Sequence, residues 1–554
     1  MPGLLFFVIA ASMAAGPSGD FQQRCRLTLD RVLQGGPPRY TVDFVVADAV
    51  PRHVRRFTEF SGDVSGRYLE ALAVDAREFG RRYPQIEAVV NEVMAHQQPD
   101  GHFGEPFGDG QVAQKHMAIL WGNGRLLVGL METHRLTKRA DVLDAACRLG
   151  DFFVAIAPRL NTDAVRQEYS GTQVAVGYIC WTQIIEGLVA LHEATRDARY
   201  LELGRQIAAR VGRHPSQHSH GYLTSLRGIL LLHEATGDRT LLAQVEREWE
   251  ELVASGNVLV HGAVPEAFKP IATRDEGCSE ADWLRLNLAL WKVTGRPRYL
   301  ENAELTLFNE FSFNQFLSGD FGHRVLTEEG VSAASARAWW CCTLHGLRAF
   351  PDLFRAVFRA SGEGLGYELP ISGRGEAGGL TVSAASSLGR DGTVTLRVLA
   401  APAAPRVLSI RLPAWADRVS VGLNRQPIDG KSGDGRWQAV RVWKAGDELA
   451  IRYAMRTRTA AHPEDHNRLA IFHGPWLLGV DAHDSPAFFD EPFQQNRVVL
   501  PAVASPASTP AAHFRLEFLP GGYPIQPQTA LLRPIADQTS LPDATAWVFW
   551  FRKR

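Results

Sequence analysis

The chain has 554 residues, a formal net charge of −1, 45% hydrophobic and 21% charged residues, and six cysteines. That length needs more than one core, and the composition is that of a folded protein. Without a basic excess, a nucleic-acid partner held by phosphate neutralisation is excluded, and six cysteines are too few for a disulfide scaffold.

The chain opens on Leu4-Leu5-Phe6-Phe7-Val8-Ile9-Ala10-Ala11 followed by small residues. This reads as a signal peptide over residues 1–20, although no Lys or Arg precedes the apolar run. It predicts a periplasmic or secreted protein, or a cytoplasmic one if the run is not a signal. No other run is long and apolar enough to span a bilayer, so no membrane is expected as a partner after processing.

From about residue 66 to 357 the pattern is helical, and a unit recurs in it. Met131-Glu132-Thr133-His134-Arg135-Leu136-Thr137 returns as Leu191-His192-Glu193-Ala194-Thr195, as Leu232-His233-Glu234-Ala235-Thr236 and as Trp291-Lys292-Val293-Thr294. Each ends one apolar helix and is soon followed by another, which predicts stacked αα-hairpins. The connections after these units are short. The others are long: Gln97 to Gln114, Pro158 to Gly171, His214 to Gly221, Gly256 to Glu276 and Leu317 to Trp340. In a ring of antiparallel helices alternate connections share an end, so the long ones gather on one side, where long loops are usually functional. The expected fold is an α/α toroid over residues 21–360. An α-solenoid is the alternative, but it needs no such loops.

After about residue 360 the period changes to two. Thr381–Ser383, Thr393–Val398, Val407–Leu412 and Glu448–Tyr453 read as strands between Gly and Pro turns, predicting β-sandwich domains over 361–554. Residues Ala502 to Ala512 read as a surface loop, and Thr545 to Phe551 as a last strand.

Cys147 and Cys180 lie in apolar helical patterns and are expected in the core. Cys278, Cys341 and Cys342 are left for chemistry. Adjacent cysteines are badly placed to bridge one another, because neighbouring Cα atoms are only about 3.8 Å apart. Cys341-Cys342, behind Trp339-Trp340, therefore reads either as a metal or thiolate site or as two small buried fillers. Glu276-x-Cys278 supplies one carboxylate and one thiolate on the same side of an extended segment. With Cys341 and Cys342 it makes a four-ligand set suited to zinc. Glu276 can equally cap a helix over Ala281–Val293, with Cys278 packed in its first turn. A purely structural zinc is a further reading, but such a site has no need to sit among the long loops.

A zinc-bound thiolate is also a nucleophile. Glu266 lies in the same loop, free of the metal, in an apolar Pro-Glu-Ala-Phe setting that would raise its pKa. A nucleophile and a proton donor are the minimum for a retaining glycosidase. Trp339 and Trp340 are candidate stacking platforms for a sugar, or packing for the helix mouth.

These segments resemble glycoside hydrolase family 127, the β-L-arabinofuranosidase family. It shares a Glu-Ala-Phe, a Glu-x-Cys and a Cys-Cys segment on an (α/α)6 barrel followed by β-sandwich domains. Gly66-Arg67-Tyr68-Leu69-Glu70-Ala71, Gln97-Gln98-Pro99-Asp100-Gly101, Arg411-Leu412-Pro413-Ala414-Trp415-Ala416, Trp443-Lys444-Ala445-Gly446-Asp447 and Gly474-Pro475-Trp476-Leu477-Leu478 extend the resemblance over roughly residues 50 to 550. It implies that Cys341 is the nucleophile and that Cys342, Cys278 and Glu276 complete a zinc site with it. It implies Glu266 as acid/base, and His220 or the nearby His218 as a sugar contact.

The chain departs from the family at His345, usually Asn, and at Gln183, where the family has an active-site His. The gap between Glu266 and Glu276 also looks shorter than in the arabinofuranosidases. These departures bear on sugar specificity, and Gln183 and Trp340 join the candidate substrate contacts. The expected function is zinc-dependent, retaining hydrolysis of a glycoside or oligosaccharide, releasing terminal β-L-arabinofuranose or a related plant cell-wall sugar. The alternatives are a non-catalytic carbohydrate-binding protein with structural zinc and a polysaccharide lyase on the same toroid. The sandwich domains leave room for a homodimer.

Overall fold

Two kinds of helix alternate along the first two thirds of the chain, and burial tells them apart. The computed structural model describes residues 21–36, 39–50, 59–171, 176–362, 364–504, 513–521 and 526–554; the expected signal peptide lies outside them. In chain order the long helices are α1 (Phe21–Gln34), α2 (Asp63–Phe79), α3 (Pro84–Met94), α4 (Gln114–Thr137), α5 (Ala140–Leu160) and α6 (Ile185–Thr195). They continue with α7 (Ala198–Ala208), α8 (Ser219–Thr236), α9 (Arg239–Ala254), α10 (Gly277–Thr294), α11 (Pro297–Thr306) and α12 (Trp340–Arg355).

The even-numbered helices are buried almost all round; α4 is buried at every residue from His116 to Thr133. The odd-numbered ones bury a single stripe, as α9 does with Leu241, Val245, Trp249 and Leu252, the pattern of a helix with one face in water. The even helices touch in a closed ring, α2–α4–α6–α8–α10–α12 and back to α2, with the odd helices outside. This is the (α/α)6 barrel. Glycine brings α2 and α4 unusually close: a Cβ on Gly129 would lie 2.4 Å from the Gly66 carbonyl oxygen.

The recurring sequence unit is a helix-ending device. Thr137, Thr195, Thr236 and Thr294 end α4, α6, α8 and α10. Each Oγ1 donates to the carbonyl four residues back, at 2.7–2.8 Å. Each also accepts from the backbone N–H two residues on. The residue between is left-handed: Lys138, Arg196, Gly237 and Gly295 have φ of 60°, 63°, 70° and 70°. That conformation stops the inner helix and turns the chain into the outer one. The short connections therefore share one end of the ring, and the N-termini of the inner helices share the other.

Two of the expected long loops are structured. Pro158 to Gly171 contains the last turn of α5 and a further helix, Asp163–Ser170, which Thr162 caps by accepting from Val165 N–H at 3.2 Å. Leu317 to Trp340 folds as the hairpin β1 (Gly322–Leu326) and β2 (Gly330–Ala338).

Beyond the barrel, a six-stranded and a five-stranded sheet cover residues 358–455 as a sandwich, with the alternating burial expected of them. A ten-stranded sheet follows. In it β3 (Trp476–Asp481) pairs with β4 (Trp547–Val548), and β4 pairs with β2, so the barrel's own hairpin is a margin of the C-terminal sheet. The expected last strand is broken in two. The N–H groups of Phe549 and Trp550 leave the ladder and both donate to the Glu329 carbonyl. The expected loop at Ala502–Ala512 begins as the end of a strand, Arg497–Ala504, and its remainder lies outside the described residues. Cys180 is buried as expected, whereas Cys147 is only half-buried. No described helix is long and apolar enough to cross a membrane.

Candidate metal and catalytic site

The N-termini of the inner helices converge on the three cysteines. Cys341 and Cys342 occupy the first turn of α12, Cys278 the first turn of α10, and Glu276 its N-cap position. Their positions come from neighbouring loops. Asp275 N–H donates to the Arg324 carbonyl at 3.0 Å, and Trp339 N–H donates to the Phe321 carbonyl at 2.8 Å. Thus β1 ties the start of α10 to the start of α12. Unpaired N–H groups at helix N-termini favour anions, thiolates included.

One ligand atom from each of Glu276, Cys278, Cys341 and Cys342 lies within 4.8 Å of all the others, and all four residues are buried. The Sγ separations are 3.8 Å for Cys278–Cys342 and 3.9 Å for Cys341–Cys342. Zn–S bonds of about 2.3 Å at tetrahedral angles put sulfurs roughly 3.8 Å apart. The four residues therefore fit a metal ion of that size. Glu276 at the N-cap position and Cys278 in the first turn stand where the helix-cap reading puts them, but the Glu276 side chain makes no cap bond to α10. The helix itself starts four residues earlier than expected.

The thiols are unequal. Burial pushes Cys341 up, but bonds from the Cys278 and Cys342 thiols and the Arg67 charge bring it well below the ordinary thiol value. Burial and the neighbouring thiols push Cys278 and Cys342 well above it. Cys341 is also the only one of the three with residual exposure, 8% against 0% for the other two. Arg67, on α2, is held by Asp63 at 2.6 Å and lies 3.9 Å from Cys278 Sγ.

Glu266 faces a cavity of about 250 Å³ lined also by His218, Ile271, Thr273 and Arg274. The apolar setting expected for it is absent. Arg274 grips both carboxylate oxygens, with Nη2 at 2.6 Å from Oε1 and Nε on Oε2. The Pro-Glu-Ala-Phe spelling hid this because Arg274 comes eight residues later, where the loop doubles back and Glu266 N–H donates to the Arg274 carbonyl.

The two histidines separate cleanly. His218 Nε2 lies 3.1 Å from Glu276 and 3.9 Å from Glu266, at the cavity wall. Burial lowers its pKa, but the Glu276 carboxylate outweighs this and the net shift is upward. His220 is fully buried, with Nδ1 2.5 Å from Asp282 Oδ2. Burial brings its pKa down to about 3, which leaves the ring neutral. It packs edge-on against His345 with centroids 4.4 Å apart. His220 and His345 stand behind Cys278, within 4.8 Å by ligand atoms, and not at the cavity wall. Gln183 is also fully buried, donating to the Trp121 carbonyl at 3.0 Å, and does not line the cavity. Trp339 and Trp340 are half-buried at the start of α12, outside the cavity lining.

Sequence reasoning missed Arg274, Arg67 and His323. His323 reaches Glu276 at 3.8 Å from β1. The one available signal was its place in the long connection leading to Cys341.

Known proteins share the family and the fold. A family model described as the beta-L-arabinofuranosidase GH127 catalytic domain matches residues 40–354. The GH127 middle domain matches residues 371–455. No curated protein sequence matches the chain. A crystal structure of a GH127 beta-L-arabinofuranosidase from Geobacillus stearothermophilus T6 superposes with a TM-score of 0.72 at 18% identity, over 97% of this chain and 99% of that one. A GH127 beta-arabinofuranosidase superposes with a TM-score of 0.74 at 17% identity, over 98% of this chain and 97% of that one. At such identity the structures speak for the fold.

Proposed function

The chain belongs to the beta-L-arabinofuranosidase family GH127, whose members are glycoside hydrolases, and from that premise we propose a retaining enzyme that releases terminal β-L-arabinofuranose with Cys341 as nucleophile. The observation that carries this reading is geometric: of the three clustered thiols Cys341 alone keeps residual exposure, and Glu276 of the same cluster also groups with His218 and Glu266. We assign zinc to the Glu276, Cys278, Cys341 and Cys342 set, because thiolates select soft metals. When bound, zinc would hold the thiolates deprotonated at neutral pH.

In the first step the Cys341 thiolate attacks the anomeric carbon and Glu266 gives a proton to the leaving oxygen. In the second, Glu266 takes a proton from water, the water oxygen bonds to the anomeric carbon, and the carbon–sulfur bond breaks. Acting as acid requires Glu266 to leave its ion pair with Arg274, whose side chain is 37% exposed and can be hydrated when it parts. His218 orients Glu276 and lies at the cavity wall as a sugar contact. The cavity of about 250 Å³ is lined by Glu266 and His218 and by none of the three cysteines; it falls just below the roughly 300–1,000 Å³ of typical ligand pockets and suits a single sugar ring, which favours exo action. The Leu4–Ala11 run fits export.

The test is a panel of chromogenic L- and D-furanosides and pyranosides, with product anomers read by NMR and zinc measured on the same preparation. Retained configuration, near-stoichiometric zinc and loss of turnover in Cys341→Ser are expected. An unsaturated, ultraviolet-absorbing product would make the protein a lyase. Binding without turnover would make it a carbohydrate-binding protein.

A further inference from the structure

The loop that carries Glu266 has a second face. Along residues 265–274 its side chains divide between two cavities. Glu266, Ile271, Thr273 and Arg274 line the one with His218, whereas Pro265, Lys269, Pro270 and Ala272 line another of about 870 Å³. Pro265 and Glu266 are consecutive, so the wall between the cavities is one strand of chain thick. The opposite side of the larger cavity comes from the C-terminal sheet, through Ala460–Glu464 and Phe549–Trp550.

Trp550 is the half-buried platform of this groove. The His462 ring stands edge-on to it, with centroids 4.6 Å apart and planes at 70°. Its backbone N–H is fixed to the Glu329 carbonyl at 3.0 Å. Lys269, Glu328 and Glu464 lie exposed at the rim; Glu328 is paired with Arg468 at 3.0 Å, which leaves one charge of each sign, and His261 is buried in the lining with Nδ1 unpartnered. A fixed aromatic face ringed by polar groups of balanced charge suits a neutral sugar, whose C–H face packs on indole while its hydroxyls meet the rim. Balanced charge disfavours a nucleic acid or an anionic lipid. The volume lies in the upper part of the roughly 300–1,000 Å³ range for ligand sites, more than the first cavity offers.

We infer that this groove binds the leaving-side glycan of the substrate, a neutral oligosaccharide that passes over the Pro265–Arg274 loop, between two solvent-open cavities, with its terminal sugar in the Glu266 cavity. This rests on the glycosidase reading above. The two parts of the chain then share one substrate: the barrel cleaves it and the C-terminal sheet holds its stem.

The experiment compares wild type with Trp550→Ala and His462→Ala on two substrates that end in the same sugar, a chromogenic monosaccharide glycoside and an oligosaccharide. The expected result is unchanged kcat/KM on the chromogenic glycoside. On the oligosaccharide, KM should rise about tenfold in Trp550→Ala, as loss of a stacking contact predicts, with kcat kept. Trp550→Phe should restore most of it. Equal loss on both substrates, or no change on the oligosaccharide, overturns the inference. The His462 variant decides it should Trp550→Ala fail to fold. Calorimetric titration with the trimmed oligosaccharide, lacking the terminal sugar, gives a readout without turnover: it binds wild type, and binding to the variants is weakened. No hydrolysis of any chromogenic glycoside by wild type would instead defeat the glycosidase reading, and the titration would still judge the groove.

Discussion

His218 Nε2 stands 3.1 Å from Glu276 Oε2, so one imidazole at the N-cap of α8 holds the carboxylate at the N-cap of α10. The same nitrogen is 3.9 Å from Glu266. The metal-binding carboxylate and the proposed acid/base are thus positioned by one ring, although they stand ten positions apart in the chain.

Replacing His218 with Gln should therefore weaken metal binding without unfolding the protein. Partners of metal ligands typically contribute about 10–100-fold in affinity or activity. Competition against a chromogenic chelator measures this, and an unchanged affinity would show that Glu276 needs no such support.

Removing the metal should loosen the barrel. The four ligands come from α10 and α12 and the residue before α10, so the ion ties two inner helices together. Ligand linkage at 100 to 1,000 times Kd contributes about 3–4 kcal/mol, which for a chain of this size lowers the melting temperature by roughly 3 °C on chelation. Equal melting curves with and without chelator would contradict this.

Arg348 supports the site from within the ring. Its guanidinium meets both Glu70 oxygens at 2.7 Å and Asp282 at 2.5 Å, and Asp282 in turn holds His220. Arg348→Met would remove the shortest ion pairs of two buried carboxylates, leaving Glu70 only Arg285 at 3.8 Å, a loss of about 3–5 kcal/mol. Denaturant midpoints report it. A shift under 1 kcal/mol would mean the network relaxes without strain.

Asp48 gives a pH signature. It is buried and accepts from the N–H groups of Val64 at 2.7 Å and Ser65 at 3.2 Å. Burial outweighs those bonds and lifts its pKa from 3.8 to about 6. A carboxyl raised on folding binds its proton more tightly in the folded state. Its contribution is therefore complete below pH 3.8 and is lost as pH rises through about 6. Asp48→Asn should remove this dependence. The stability difference between variant and wild type should shift in the variant's favour by up to about 3 kcal/mol from pH 3.5 to 7. A constant difference across that range would refute it.

The repeat ending in Thr137, Thr195, Thr236 and Thr294 made the ring legible, because each Thr closes a helix by local bonds that sequence alone specifies. The metal set was legible for a similar reason, since thiolate chemistry is tied to residue type. What stayed hidden depends on distant packing. Gly-Val-Ser-Ala-Ala-Ser-Ala-Arg-Ala at β2 has few branched or aromatic residues and reads as loop, yet it is a strand paired with β1 and β4. His218 and His220 are two residues apart and look alike in sequence. Only the turn of α8 sends one to the cavity and the other to Asp282. The partner of Glu266 was hidden because an ion pair eight residues apart requires the loop's own fold.

The pairing of β2 with β4 sets an order of events at the ribosome. The hairpin that leads into Cys341 cannot find its neighbouring strand until Val548 has been made, roughly 200 residues later, which at about 5–20 residues per second takes some ten to forty seconds. For that interval the Gly330–Val331 end of the hairpin presents an unpaired edge. The start of α12 is tied within the barrel, through Trp339 N–H on the Phe321 carbonyl, so the four metal ligands are all made, with the hairpin between them, before the last sheet can close on it.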